Sequence, residues 1–274
     1  MIGQVQTKQL LQQLIKDNKL PHFIILVGDK GSGRKTLLEE LNLGDYVAPD
    51  VKVDTIRRMI NDVYTLKGYT FVIPDADNMS LQAKNSLLKV VEECPNNNYF
   101  IMTLEDENNT LPTIRSRAVI YRMETYTTDE IEEYTRNYIP IPPTNEEEFI
   151  PLFVELCDTP GEVQLLSGMG AEDFYKYVEK VVDNIAKVSG SNSFKISEKI
   201  ALKDGDNGYD LKLFWKAFSR VCVSRFHKAP KDIVLKYAKG VQITSESIRD
   251  LRVSGINKQA LFDVWLLGIR ESWI

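Results

Sequence analysis

Histidine and cysteine are scarce in this chain, with two histidines and three cysteines among 274 residues. Cys94, Cys157 and Cys222 lie far apart and make no Cys-x-x-Cys pair. That excludes a zinc ribbon and argues against a disulfide scaffold. His22 and His227 have no metal-binding or triad company in the sequence and receive no role. No apolar run approaches the ~20 residues of a membrane span. The first residues lack the charged and apolar regions of a signal peptide. The expectation is a cytoplasmic chain in a reducing compartment, with no membrane partner. An excess of positive charge is missing too: 34 Lys and Arg stand against 39 Asp and Glu, a net charge of -5. A stand-alone nucleic-acid binder needs a cationic surface to displace counterions, so the charge argues against that class. It does not exclude a local basic patch inside an assembly. No repeat of fixed period is visible.

What is present is an ordinary globular composition, 43% hydrophobic and 27% charged, long enough for two or three packed units. Apolar residues at helical spacing over Thr7–Lys19 (Leu10, Leu11, Leu14, Ile15) predict a first helix, closed by Pro21. His22–Val27 is a continuous apolar run that ends in glycine, the pattern of a strand buried on both faces. A helix follows through Lys35–Leu41. Asp54 is expected to cap another through Ile56, Met59, Ile60 and Val63. Tyr69–Ile73, Tyr99–Leu104 and Ala118–Met123 read as further strands, and Ser80 caps a helix that ends before Pro95. Strands alternating with helices predict a three-layer α/β domain.

After Met123 the strand signals fade. Thr127–Glu130 opens a helix with its own cap, and 139–143 is a stiff proline-rich connector. Helices are expected at Asn145–Cys157, Gly161–Gly168, Phe174–Val188, Leu211–Phe226 and Lys258–Trp273. Loops are expected at 189–193 and 204–208.

Between the first strand and its helix stands Gly28-Asp29-Lys30-Gly31-Ser32-Gly33, a six-residue loop of the phosphate-binding type. A working loop continues Lys-Ser/Thr, the lysine neutralising the β/γ-phosphates and the hydroxyl ligating magnesium. Here Arg34 stands in the lysine place and Lys35 in the hydroxyl place, with Thr36 one residue late. Neighbouring helical positions point roughly 100° apart, so neither substitutes for its predecessor. A guanidinium can still meet a phosphate, but an ammonium in the metal place repels the cation. Nucleotide at Gly28, Gly31, Gly33, Arg34, Lys35 and Thr36 is therefore expected to be weak or absent. No cofactor or metal is required.

Downstream, Phe71-Val72-Ile73 leads into Asp75-Ala76-Asp77, then Lys84-Asn85-Ser86-Leu87-Leu88-Lys89-Val90-Val91-Glu92-Glu93, and finally Leu111-Pro112-Thr113-Ile114-Arg115-Ser116-Arg117. This ordered series resembles the ATPase core of the clamp-loader family within the AAA+ proteins, which open ring-shaped DNA sliding clamps. The resemblance implies a three-layer AAA+ (RecA-like) parallel-sheet domain over 1–123, a helical lid over 124–170 and an all-α C-terminal collar over 171–274. It also implies two losses besides the lysine and the hydroxyl of the loop. Pro74 stands where the family's metal-organising Asp belongs, with Asp75 in the place of the water-polarising Glu. Glu162, in Thr159-Pro160-Gly161-Glu162-Val163, stands at the lid's sensor arginine, where an anion would repel phosphate. Neither Thr103 nor Leu104, near the first sensor, is assigned a polar contact. Asp75 and Asp77 read instead as residues that end the strand and start the Ser80 helix.

One cation survives. Ser116-Arg117 matches the family's Ser-Arg-Cys segment, with Ala118 for Cys. That implies an arginine finger acting in trans on the ATP site of an adjacent subunit, with Ser116 fixing its direction. A dead site with an intact finger resembles the delta-prime class of bacterial clamp-loader subunits. The implied partners are other clamp-loader subunits, the sliding clamp, and primer-template DNA reached through the assembly, with Arg57 and Lys84 as candidate phosphate contacts. Phe214, Trp215, Phe218, Phe262, Trp265 and Leu266 are expected mainly in the helical core, a minority at subunit interfaces. Two other readings stay open: an active ATPase using Arg34 and Asp75, and an AAA+ regulator outside replication.

Overall fold

The computed structural model describes residues 2–141, 146–185, 196, 199–201, 208–227, 229–251, 253 and 255–273. The chain divides into two compact units, 1–130 with 158–161, and 131–157 with 162–274.

The first unit is built on a five-stranded parallel sheet in the order β2-β3-β4-β1-β5. Its strands are β1 (Phe23–Val27), β2 (Tyr46–Val47), β3 (Thr70–Ile73), β4 (Tyr99–Leu104) and β5 (Val119–Arg122). Four match the apolar runs; the two-residue β2 edge had no sequence signal. Alternate residues of β1 serve opposite faces. Ile24 and Leu26 pack with Leu11 of α1 (Val5–Lys16) and Leu37 and Leu38 of α2 (Arg34–Glu40). Phe23 and Ile25 pack with Ile56, Met59 and Val63 of α3 (Val53–Thr65) and Leu87, Val90 and Val91 of α4 (Leu81–Glu93). Helices on both faces explain why the central strands are apolar throughout rather than alternating.

Helix starts were partly legible. Ser80 Oγ accepts from the Ala83 amide at 3.2 Å, capping α4 as expected. Thr127 and Glu130 form a reciprocal capping box: Thr127 Oγ1 accepts from the Glu130 amide at 3.2 Å, and Glu130 Oε2 from the Thr127 amide at 2.9 Å. Asp54 is not a cap, because α3 has already begun at Val53. Asp50 serves that end instead, accepting from the Lys52 amide at 3.0 Å. Its carboxyl is held below the usual carboxylate range, chiefly by the Thr55 hydroxyl.

The second unit is mainly helical. α6 (Thr128–Tyr138), which the first unit shares at its start, is followed by α7 (Glu146–Leu156), α8 (Pro160–Gly168), α9 (Ala171–Asn184), α10 (Leu211–Phe226), α11 (Lys231–Asp250) and α12 (Lys258–Trp273). A small parallel pair, β6 (Ile200–Ala201) with β7 (Tyr209–Asp210), was not foreseen. Trp265 is the hub of the core, 5.0 Å centroid to centroid from Phe218 and 5.6 Å from Phe214, edge to face. Its indole N–H donates to Thr244 Oγ1 at 2.9 Å, which satisfies a buried donor. Phe214, Trp215, Phe218, Phe262, Trp265 and Leu266 are all buried within this unit. The share expected at subunit interfaces is therefore corrected: the exposed large apolar residues of α10 and α12 are Val223, Phe226, Val264 and Leu267. The expected loops at 189–193 and 204–207, and connector residues 142 and 143, lie outside the described residues.

Candidate functional site

Parallel sheets bind ligands outside the carboxyl ends of their strands, where the strand order reverses. Here the chain passes from β1 to the far edge at β2, returns through β3 to β4, and then crosses to β5 on the other side of β1, so the reversal falls beside β1. The glycine loop leaves β1 at that point. The Gly28 amide continues the ladder by donating to Leu104 O at 3.0 Å, and the Ser32 amide closes the turn on Asp29 O at 3.0 Å. Gly31 and Gly33 have φ of +81° and +88°, left-handed values that favour glycine.

The loop is held by its own chain. Lys30 O accepts from Thr159 Oγ1 at 3.2 Å, Gly31 O from the Gly161 amide at 3.1 Å, and Ser32 O from the Tyr126 hydroxyl at 2.9 Å. Thr159 and Gly161 belong to the segment 158–161 that packs with the first unit. A Cβ on Gly161 would stand 2.4 Å from Gly31 Cα, and one on Gly31 2.7 Å from Gly161 Cα. Both obstacles are backbone and cannot swing aside. Gly161→Ala is therefore expected to cost about 1–3 kcal/mol, read as a lower denaturant midpoint in equilibrium unfolding.

Arg34, the stand-in for lysine, is 7% exposed. Its Nη2 donates to Asp75 Oδ1 at 3.1 Å. The two residues nominally responsible for phosphate and water thus meet each other. Asp75 sits in a left-handed conformation, φ 48°, and its amide donates to Thr103 Oγ1 at 2.9 Å. Thr103 therefore does make a polar contact, against expectation: its side chain turns from β4 toward the end of neighbouring β3. Lys35 is 87% exposed and, among the described residues, pairs only with Glu39, one turn on, at 3.7 Å. Thr36 is exposed as well. Neither lies where it could replace the missing groups.

Asp77 does not start the next helix. Its carboxylate accepts from the Glu105 amide at 2.8 Å and the Asp106 amide at 3.3 Å, and from Asn109 Nδ2 at 2.9 Å. It thus pins the loop after β4. Loss of hydration pushes the Glu105 carboxyl above its usual range, with the Asp77 charge adding and Arg34 and Lys30 partly offsetting. Among the described residues no cluster of three or more His, Cys, Asp and Glu is placed to hold a metal ion.

Glu162 has a different job from repelling phosphate. It is buried within the second unit, where Lys212 and Lys216 of α10 neutralise it at 2.7 and 2.9 Å. Lys84, a candidate DNA contact, is half-buried and donates to Asn109 O. Desolvation pulls its ammonium below the usual lysine range, with Asp77 pushing back. Arg57, on α3, is exposed. Arg115 donates to Asn108 Oδ1 at 2.7 Å.

Ser116 and Arg117 follow α5 (Pro112–Arg115), a single turn anchored by Ile114, which is fully buried in the sheet core. Ser116 Oγ donates to Thr113 O at 3.2 Å. Arg117 Nε and Nη2 both donate to Glu92 Oε2, at 3.1 and 2.9 Å, and Nη1 donates to Thr113 O at 2.8 Å. The Arg117 side chain is 35% exposed. Glu92 carried no sequence signal as its partner, since 25 residues separate them.

Residues 40–127 match the family described as DNA polymerase III, delta subunit. Replication factor C subunit 3 of Schizosaccharomyces pombe is 27% identical over 145 residues, covering 45% of this chain and 41% of that protein. Over part of its length the chain is thus similar to clamp-loader AAA+ proteins. DNA polymerase III subunit gamma/tau of Mycoplasma genitalium is 24% identical over 167 residues, 48% of this chain and 28% of that protein. The chain thus spans less than half the length of the curated relatives it matches. Among solved structures, a RuvB variant from Thermotoga maritima superposes with a TM-score of 0.51 at 14% identity, covering 99% of this chain and 87% of that one. At that identity the likeness speaks to the AAA+ fold alone.

Proposed function

We propose that this chain is a delta-prime-like clamp-loader subunit in DNA replication, deficient in ATP hydrolysis, that lends Arg117 to the ATP site of a neighbouring subunit. One observation carries the deficiency: Arg34 donates to Asp75, so the loop's cation and the acid that would polarise water are spent on each other. Phosphoryl transfer depends on cations and metal placed around the transferred group. Here Lys35 faces solvent and Pro74 can hold nothing. The replicative and clamp-loading role is supported by the named relatives, replication factor C subunits and DNA polymerase III gamma/tau. The partners that follow are other clamp-loader subunits, a sliding clamp, and primer-template DNA. Of the two candidate DNA residues, exposed Arg57 is the better placed for a phosphate, because Lys84 is committed to Asn109.

The test is ATP turnover by the isolated chain. No magnesium-dependent hydrolysis above background is expected; sustained turnover by the lone protein defeats the reading and favours an active ATPase. Retention of nucleotide without hydrolysis has one observation of its own in favour. Ser32 Oγ and Arg34 Nη1 are buried and make no hydrogen bond among the described residues, and an anion could satisfy both. Calorimetric titration with ADP separates a weakly occupied loop from one that binds nothing.

A further inference from the structure

We infer that Glu92 is a positioning residue for Arg117, holding the guanidinium so that its free edge is aimed before a neighbour's phosphate arrives. This rests on the finger reading above. A guanidinium has five N–H donors. Three are engaged: Nε and one hydrogen of Nη2 on Glu92 Oε2, and one hydrogen of Nη1 on Thr113 O. One hydrogen each on Nη1 and Nη2 remains uncommitted. Those are the two nitrogens with which arginine grips an oxyanion bidentately. Glu92 therefore occupies the side edge of the fork and leaves the gripping nitrogens a donor each.

The two anchors come from different elements, so together they fix the plane of the group. Glu92 lies in the last turn of α4, and Thr113 lies in α5, whose Ile114 packs with Leu87, Val90 and Val91 of α4. Ser116 Oγ shares the Thr113 carbonyl and braces the same turn. A long, flexible side chain is thereby ordered in advance, which removes a cost that would otherwise fall on the step it assists. The ion pair itself is solvent-facing, with Glu92 61% exposed. Such a pair adds little to folding stability, so removing the carboxylate leaves the fold intact and isolates the positioning effect.

The experiment uses the full chain assembled with the ATPase subunits it co-purifies with, comparing Glu92→Ala, Arg117→Ala and the double variant. Glu92→Ala is expected to lower kcat of the partner's ATPase about tenfold, with KM for ATP and assembly unchanged. The double variant is expected to be no slower than Arg117→Ala alone, because Glu92 acts only through the arginine. Glu92→Asp should recover part of the loss. If Arg117→Ala slows turnover while Glu92→Ala does not, or accelerates it, the positioning role is overturned and the finger stands. If Arg117→Ala itself changes nothing in an intact assembly, the finger reading fails and the positioning role with it. Losses that add in the double variant also overturn it, since they assign Glu92 an effect independent of Arg117.

Discussion

Arg117→Ala is expected to slow ATP turnover by the neighbouring subunit on the order of a thousandfold, while the assembly still forms and this chain keeps its fold. Such a loss corresponds to about 4 kcal/mol of transition-state stabilisation, far more than the side chain's own contacts contribute to folding. Arg117 sits on the surface, and its contacts are Glu92, an exposed carboxylate, and one carbonyl of its own turn. Removing them costs the monomer little. The measurement is steady-state ATPase of the reconstituted assembly, with size-exclusion chromatography confirming that the complex persists. Arg117→Lys discriminates further. A lysine keeps the charge but lacks the planar fork, so it should recover only a small part of the rate. Unchanged turnover in an intact assembly would leave Arg117 as a surface residue closing a short helix.

Asn98→Ala is expected to cost on the order of 2–4 kcal/mol of stability, the largest effect of any single polar side chain in the first unit. Asn98 is completely buried. Its Oδ1 accepts from the Tyr69 amide at 2.9 Å, and its Nδ2 donates to Val63 O at 2.9 Å and Leu66 O at 3.0 Å. Helices leave their last carbonyls without intrahelical partners, and one carboxamide serves two such groups at the end of α3 while anchoring the entry to β3. Alanine strips the Tyr69 amide and the Leu66 carbonyl of these part-buried bonds and leaves Val63 O with Asn96 Nδ2 at 3.2 Å. Urea unfolding should show a lower midpoint at unchanged slope. Asn98→Asp keeps the acceptor for Tyr69 but sets a carboxylate against two carbonyls, so it should lose at least as much. A change within a few tenths of a kcal/mol for both variants would assign the burial to packing rather than to hydrogen bonding.

The same asparagine marks a limit of what could be read beforehand. Asn96-Asn97-Asn98 looks like a polar surface turn, and for two of the three that is half right. Asn96 and Asn97 take left-handed backbone, φ 61° and 55°, which asparagine tolerates better than most residues. The third is a structural bolt, and nothing local distinguishes it. Similarly, Asp75 and Asp77 read as strand-end residues, yet each reaches another segment: Asp75 to Arg34, Asp77 to the loop after β4. Glycines in the phosphate loop were legible as a turn. That Gly31 also makes room for Gly161, 130 residues away in the chain, was not.

The sequence by itself determined the alternation of buried strands and helices, the place of the glycine loop, and which residue types stand in and after it. Those features depend on residue type and near-neighbour spacing, which fix burial periodicity and side-chain chemistry. Only the tertiary structure decided that Arg34 and Asp75 neutralise each other, that Thr159, Gly161 and Tyr126 fasten the loop, and that Glu92 and Thr113 hold Arg117. Each of these is a contact between charges or hydrogen-bonding groups brought together by the parallel sheet and its crossovers. Their energies depend on distances of about 3 Å that no local pattern along the chain encodes.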